Sequence, residues 1–502
     1  MQNVAYSVNP FTGKRSMLPE VLDDKERIDS FLEMNAGKKV VVVQGLGFVG
    51  SVMALVCANA LTEEYAVIGV ELASPGSYWK IQSINEGVFP VISSDPKIDL
   101  FFKKTKEKKN FIATFDPYCY SKADVIIVDI NLDVDKKSNF EMDLEGYDVS
   151  LKNFKKAIET IGNHCREDVS IVVETTVPPG TCQKIVKPIL EECLAKRGLT
   201  TGTYTLGHSY ERVMPGPDYI DSIQNFYRVY SGIDDRSAIA TETFLRTIIS
   251  TEKYPLTRLG STNATEMAKV LENSYRAMNI GFMVEWSRFA EEAGVNLYEV
   301  VDSIRMRPTH NNLMYPGIGV GGYCLTKDPL LASWARQNIF ESNERLAQSE
   351  TGVTINDKMP LYAFEFLKKE FNGTLRDKKI LMLGVSYRSN VGDTRYSPVE
   401  YLYNYINRET TAITMHDPYV SYWEEKQMNI EQDLNAFFPG KWDVVIISTG
   451  HVEYKKNQKL MNQLLELDAA FILDTIGLLT KEEIYLLSGK HRVRVVGRGD
   501  IK

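Results

Sequence analysis

The chain has 502 residues, with 58 Lys or Arg against 66 Asp or Glu, a formal net charge of −8. At roughly 150 residues per domain, that length suggests about three domains, each able to bury its own core. The acidic balance argues against a nucleic-acid partner, since a phosphate backbone rewards clustered Lys and Arg; a phosphorylated small molecule bound at a local site stays compatible with it.

The six cysteines are Cys57, Cys119, Cys165, Cys182, Cys193 and Cys324. None forms a CxxC pair and the six His are scattered, so no metal site is expected. The N-terminus lacks the apolar core of a signal peptide, and no apolar run approaches the roughly 20 residues of a spanning helix. The expectation is a cytoplasmic protein with reduced thiols and no membrane partner.

Residues 1–37 show no clear strand; Leu22 to Met34 suits a short helix, and the segment reads as an N-terminal extension that packs or moves as an arm. Lys39–Gln44 is the first strong strand, and Tyr65–Glu71 the second. Apolar runs at Asp124–Asp129 and Val169–Val173 are short and bounded by polar residues, as buried parallel strands are. Helical stretches such as Leu151–His164 separate them, which predicts a doubly wound sheet over residues 38–255. From Ser261 the texture is helical. Asn263 with Glu266 suits a helix start, and Gly294 a stop. Between them Ala264, Met267, Ala268, Leu271, Tyr275, Met278, Phe282, Trp286 and Phe289 recur at helical spacing, predicting one helix of about 30 residues. Alternation returns after Asn356, with strands at Lys379–Gly384, Ala412–His416, Asp443–Ser448 and Phe471–Asp474. The predicted class is α/β: two Rossmann-like doubly wound domains, residues 38–255 and 357–502, joined by a helical domain at 256–356 with a long central helix.

Gly45-Leu46-Gly47-Phe48-Val49-Gly50 follows the first strand and opens a helix. The first Gly allows the tight turn, the second the approach of a pyrophosphate, and the third close packing of helix on strand. Helix N-terminal amides then face the phosphates. Glu71 ends the next strand, where a carboxylate holds ribose hydroxyls and repels a 2′-phosphate. The order strand, glycines, helix, strand, acid predicts NAD rather than NADP. The second α/β half keeps only Gly384 after its strand, so a different ligand is expected there, near the polar loop Gly392–Pro398.

Gly317, Gly319, Gly321, Gly322 and Cys324 crowd a short segment. Glycines bring backbone close to a neighbour, and a cysteine placed after them is a candidate nucleophile. Asp328 lies four residues on, where a helical turn puts both side chains on one face and a carboxylate can position water or take a proton. Lys269 and Asn273 are also four apart and fall off the apolar stripe; they suit either a solvated face or a pair aimed into a cleft, where an ammonium stabilises an oxyanion. Glu174–Thr181 and His208–Gly216 are polar loops, the second with an isolated acid, Glu211.

Together these segments resemble the UDP-glucose/GDP-mannose dehydrogenase family of nucleotide-sugar 6-dehydrogenases. Gly45–Gly50 is similar to its NAD loop, Glu174–Thr181 to STVPPGT, Glu211–Gly216 to PER-x-x-PG, Ala268–Asn273 to AK-x-x-x-N, Gly321–Pro329 to GG-x-C-x-x-x-DP, Gly392–Pro398 to D-x-R-x-SP and His416–Tyr419 to HDPY. The resemblance implies a four-electron oxidation of a sugar C6 alcohol through a Cys324 thiohemiacetal and thioester. It implies that Lys269 and Asn273 hold the oxyanion and a water, Asp328 assists proton transfer and Glu211 serves hydrolysis. Gly45, Gly47, Phe48, Val49, Gly50, Glu71 and Thr176 would contact NAD. Arg212, Gly321, Gly322, Arg388 and Arg395 would contact the nucleotide sugar, bound mainly by the C-terminal domain, and the central helix would form a homodimer.

There are departures. Asn131, in Asp129-Ile130-Asn131-Leu132, stands where the family's VPTP places a Thr that helps hold the catalytic water. Ser386-Tyr387-Arg388 replaces AFK, exchanging a substrate Lys for Arg. Tyr210 and Tyr323 also differ. The VGG-x-C form resembles the N-acetylhexosamine branch more than the UDP-glucose branch, so the resemblance implies a UDP-N-acetylhexosamine or UDP-glucose as substrate. Two other readings stand beside this one: a two-electron 3-hydroxyacid-type dehydrogenase, which needs neither Cys324 nor a second α/β domain, and a non-catalytic nucleotide-sugar-binding protein, supported by Asn131 and Arg388.

Overall fold

Lys39–Gln44 forms β1, and every residue after Lys39 is buried; a β-branched run covered on both faces is what a central parallel strand requires. The computed structural model describes residues 5–91, 93–213 and 216–501. Contacts divide the chain into two compact units. The first comprises residues up to Val134, Val149–Val270 and Trp334–Asn343; the second comprises Asp135–Asp148, Leu271–Ser333 and Glu344 onward.

In the first unit the sheet continues with β2 (Tyr65–Val70), β3 (Phe111–Thr114), β4 (Val125–Val128), β5 (Ser170–Val173), β6 (Thr205–His208), β7 (Val229–Gly232) and β8 (Thr257–Arg258). Their spatial order is β8-β7-β6-β5-β4-β1-β2-β3, parallel except between β6 and β7. Strands added after β1 run to one side and those after β4 to the other, so the crevice between their carboxyl ends is the switch point where open α/β sheets bind ligands. Helix α1 (Phe48–Ala58) follows β1, and Cys57 lies on its buried face.

The N-terminal extension departs from expectation. It contains a hairpin, Tyr6–Val8 paired with Arg15–Met17, ahead of a helix at Lys25–Met34. Strands of three residues are too short to show a period. The hairpin is a packing arm: Ser7 Oγ donates to Pro75 O and accepts from Trp79 N, and Asn9 bonds Ser83.

The second unit carries an all-parallel sheet of β9 (Ile380–Leu383), β10 (Ile413–His416), β11 (Val444–Ile447), β12 (Phe471–Asp474) and β13 (Arg492–Val495), in the order β10-β9-β11-β12-β13. A hairpin at Val134–Ser138 and Leu144–Val149, unanticipated from the chain, contributes residues 135–148 to this unit. Its Lys136 pairs with Asp357 at 2.6 Å.

Helix α2 runs from Thr262 to Ala293, 32 residues, and Gly294 ends it at φ +69°. It starts one residue ahead of Asn263, and Ser261 Oγ accepts the Ala264 amide at 3.3 Å. The outward face of α2 is the reverse of the usual pattern. Met267, Leu271, Tyr275, Phe282, Trp286 and Phe289 are 45–65% exposed, whereas Lys269 and Asn273 are 7% and 5% exposed. The polar pair is therefore not a solvated face.

Candidate functional site

The glycine loop assigns each of its glycines a separate task. Gly45 has φ +100°, and a Cβ there would lie 2.2 Å from Asp129 O. A Cβ on Gly50 would lie 1.9 Å from Gly45 O, so this glycine lets α1 approach the strand. A Cβ on Gly47 meets nothing within 4 Å. The open space at Gly47, beside the first amides of α1, suits an approaching pyrophosphate. Glu71 follows β2; its Oε2 accepts from Leu46 N at 3.3 Å and from Lys80 Nζ at 3.1 Å, which turns the carboxylate toward the loop. Phe48 O accepts from Tyr219 Oη at 2.7 Å, while Val49 and Thr176 are half-buried. These residues fit a dinucleotide.

Next to this loop, the carboxyl edge of the same sheet buries a polar cluster. Asp129 follows β4, Glu174 follows β5, Glu211 lies beyond β6, and Arg228 immediately precedes β7. Glu174 and Arg228 form an ion pair, both nearly fully buried. Arg228 Nε also donates to Ser209 Oγ at 3.1 Å. Lys269 Nζ donates to Glu211 O at 2.8 Å and stands 3.8 Å from its carboxylate. Burial, reinforced by the nearby Glu211 charge, pushes the Asp129 carboxyl up to about 8. Burial draws His208 down to about 3, and the Lys269 ammonium adds to this; its Nδ1 is 2.9 Å from Thr265 Oγ1. Asn131 is exposed, and Thr175 Oγ1 donates to the preceding residue's carbonyl, Ile130 O, at 2.7 Å. Arg212 donates to Tyr227 O and Tyr210 Oη. Met214 and Pro215 of the Glu211–Gly216 segment lie outside the described residues.

In the second unit, Cys324 is exposed while the other five cysteines are buried. It stands on a turn in which the Asp328 amide donates to Cys324 O at 2.9 Å, the i to i+4 spacing of one helical turn. Asp328 is fully buried and both its oxygens are engaged: Oδ2 accepts from Asn273 Nδ2 and Oδ1 from Lys327 Nζ, each at 2.7 Å. Asn273 and Asp328, singled out separately in the chain, are brought together; Lys327 was not anticipated. The crowded glycines have a packing reason. A Cβ on Gly321 would meet Tyr396 O at 2.4 Å, and one on Gly322 the Tyr387 ring at 2.8 Å. The Cys324 turn is thereby seated on the loop after β9. That loop carries Arg388, which is exposed, and Arg395, which forks onto Asp393 and lies over the Tyr323 ring at 5.8 Å. Asp417, after β10, accepts the amides of Val385 and Ser386 and fixes the root of the loop.

Asp129, Glu174, Arg228 and His208 were not anticipated as site residues. Each is one polar residue at a strand end, and only the sheet juxtaposes them. Among the described residues no group of His, Cys, Asp and Glu is placed to hold a metal, and no helix is long and apolar enough to cross a membrane.

Three family models match the chain: the NAD binding domain of the UDP-glucose/GDP-mannose dehydrogenase family over residues 38–248, its central domain over 263–357, and its UDP binding domain over 381–481. A UDP-N-acetyl-D-mannosamine dehydrogenase of Methanocaldococcus jannaschii is 28% identical over 89% of this chain and 94% of its own length. An NDP-N-acetyl-D-galactosaminuronic acid dehydrogenase of Ralstonia nicotianae is 24% identical over 89% of this chain and 97% of its own. The solved structure of a UDP-D-ManNAc dehydrogenase from Pyrococcus horikoshii superposes with a TM-score of 0.76 at 25% identity, covering 92% of this chain and 100% of that one.

Proposed function

The chain belongs to the UDP-glucose/GDP-mannose dehydrogenase family of NAD-dependent enzymes, and from that premise we propose that it oxidises the C6 alcohol of a UDP-N-acetylhexosamine to the uronic acid through a covalent intermediate on Cys324. The observation that carries this reading is Cys324 itself: the one exposed cysteine of six, on a turn locked through Asp328 to Asn273. NAD, bound at the glycine loop, supplies a hydride acceptor for each of two oxidations.

The residues divide the work by chemistry. The first oxidation converts the alcohol to an aldehyde and releases one proton. The Cys324 thiolate adds to the aldehyde carbon, giving a thiohemiacetal; the second oxidation leaves a thioester, and water displaces the thiol as the carboxylate forms. Stopping at the acid requires such a covalent hold on the aldehyde, and a thioester accepts water where an ester releases slowly. Lys269 stabilises developing oxyanion charge, and its buried ammonium is worth more there than in water. Asn273 orients a water or oxyanion, Asp328 holds Asn273 in place and assists proton movement, and Glu211 serves thioester hydrolysis. Asn131 is assigned to water positioning on the family pattern. Arg388 and Arg395 offer guanidinium forks to a diphosphate, alongside Arg212, Gly321 and Gly322 on the substrate side.

The relatives named for UDP-N-acetyl-D-mannosamine support an N-acetylhexosamine substrate. The exposed apolar stripe of α2 supports a homodimer formed through that helix, with residues 256–356 as the dimerisation domain. Incubation of the protein and NAD with UDP-N-acetylmannosamine, UDP-N-acetylglucosamine, UDP-glucose and GDP-mannose tests the substrate. Reduction of NAD with UDP-N-acetylmannosamine well above that with UDP-glucose is expected; equal or reversed preference rejects the N-acetylhexosamine assignment, and bound NAD with no turnover on any sugar favours a binding protein.

A further inference from the structure

Asp129 has no part in the reaction as described, yet its carboxyl faces the cofactor loop. Its Oδ2 would be 3.2 Å from a Cβ on Gly50, and its backbone carbonyl is what Gly45 closes upon. The residue is 8% exposed, and Oδ2 is buried without a hydrogen-bond partner. Three acids, Asp129, Glu174 and Glu211, share this edge with two cations. Arg228 is paired with Glu174, and Lys269 with Glu211. Both cations also pull on Asp129, but burial and the nearby Glu211 charge outweigh them, so its carboxyl keeps its proton.

We propose that Asp129 is a further residue of the NAD site, one that admits the dinucleotide pyrophosphate only in its neutral, protonated form and so makes NAD affinity fall on the alkaline side of neutrality. The pyrophosphate is an anion at the N-terminus of α1, and an ionised carboxylate behind Gly50 opposes it across a poorly solvated gap. The charged groups facing Asp129 are Glu211, which raises its carboxyl, and Arg228 and Lys269, which lower it. Thr175, on the β5 side, does not ionise. Arg228 is drawn down by burial to about 10, against the opposing pull of Asp129, and stays mostly cationic across this range. Burial pushes the Cys57 thiol of α1 far up, so it stays neutral. Lys269 remains with Glu211. Burial places the Asp129 transition itself near 8.

The sign follows from the raised value: the neutral form prevails below about 8 and is lost as pH rises through it. If only the protonated form binds, affinity scales with its population, and NAD binding by calorimetry weakens about 30-fold between pH 7 and 9.5. NAD has no group of its own that titrates in this window. Asp129→Asn keeps the shape and removes the titration, so its NAD affinity stays within about threefold across the same range. Asp129→Ser serves the same comparison if the Asn variant does not fold, and unfolding of the ligand-free proteins at each pH separates binding from stability. A flat wild-type profile, or a parallel fall in the folded variant, overturns the proposal. Binding is read without turnover, so the result is independent of whether Cys324 is the nucleophile.

Discussion

Gly47 and Gly50 lie three residues apart in one loop, yet alanine at each has opposite expected consequences. At Gly50 the new Cβ falls 1.9 Å from Gly45 O. A comfortable non-bonded separation is about 3.5 Å, so backbone must shift by about 1.6 Å. The obstacle is a main-chain oxygen between a buried strand and a buried helix, which places the change at the upper end of overpacking costs, about 3 kcal/mol. For a unit of this size that lowers the melting temperature by about 6–12 °C. At Gly47 nothing lies within 4 Å, so Gly47→Ala behaves as a surface change, within about 0.5 kcal/mol of wild type. Its methyl group occupies the space through which a pyrophosphate approaches, and NAD affinity drops at least about tenfold, or ~1.4 kcal/mol. Thermal unfolding of the ligand-free variants, paired with NAD calorimetry, reads both quantities. A Gly47→Ala protein that melts like Gly50→Ala, or that binds NAD like wild type, refutes the division of labour within the loop.

Cys324→Ala should bind NAD within about twofold of wild type and form no uronic acid; acid from the variant, detected by mass spectrometry, removes Cys324 from the mechanism. Asp328→Ala leaves the Lys327 ammonium buried without its carboxylate and should destabilise the protein by about 3–5 kcal/mol in urea unfolding; a loss below about 1 kcal/mol contradicts the lock. Leu271→Glu combined with Phe282→Glu places charge on the exposed stripe of α2 and should yield a monomer in light scattering if that stripe is the dimer surface; an unchanged mass rules it out. His208 is held neutral, with a folded value of about 3. The unfolded chain therefore binds the extra proton between about pH 6.5 and 3, and stability declines as pH falls through that window. Between pH 7 and 5 the decline is about 2 kcal/mol, and His208→Gln should remove it; parallel urea midpoints for variant and wild type would contradict this.

The dinucleotide loop is readable from the chain because every part of it is local: a strand, three glycines, a helix start and an acid at fixed offsets. The long α2 helix is readable for the same reason, from its period. Its orientation is not, because periodicity reports which residues share a face and not what covers that face. Here the apolar stripe faces outward, and Lys269 and Asn273 are buried. The Cys324 turn shows a different limit. Its glycines signal a close approach, but the neighbours, Tyr387 and Tyr396, lie more than 60 residues away and are met only on folding. The buried cluster of Asp129, Glu174 and Arg228 is the extreme case: three single polar residues from three strand ends, without spacing or pattern, joined only by sheet order. The three-residue strands of the N-terminal arm fall below the length at which alternation can be seen.

The central claim is that one active cysteine carries the sugar from alcohol to acid through two successive oxidations. Balance then demands two NAD and one water per alcohol, giving two NADH, one carboxylate and three protons. Single-substrate exhaustion, with NADH read by absorbance and the sugar products by mass spectrometry, counts this directly. Two NADH per sugar with only the uronic acid released is the predicted result; one NADH per sugar, with free aldehyde or ketone as the product, contradicts it.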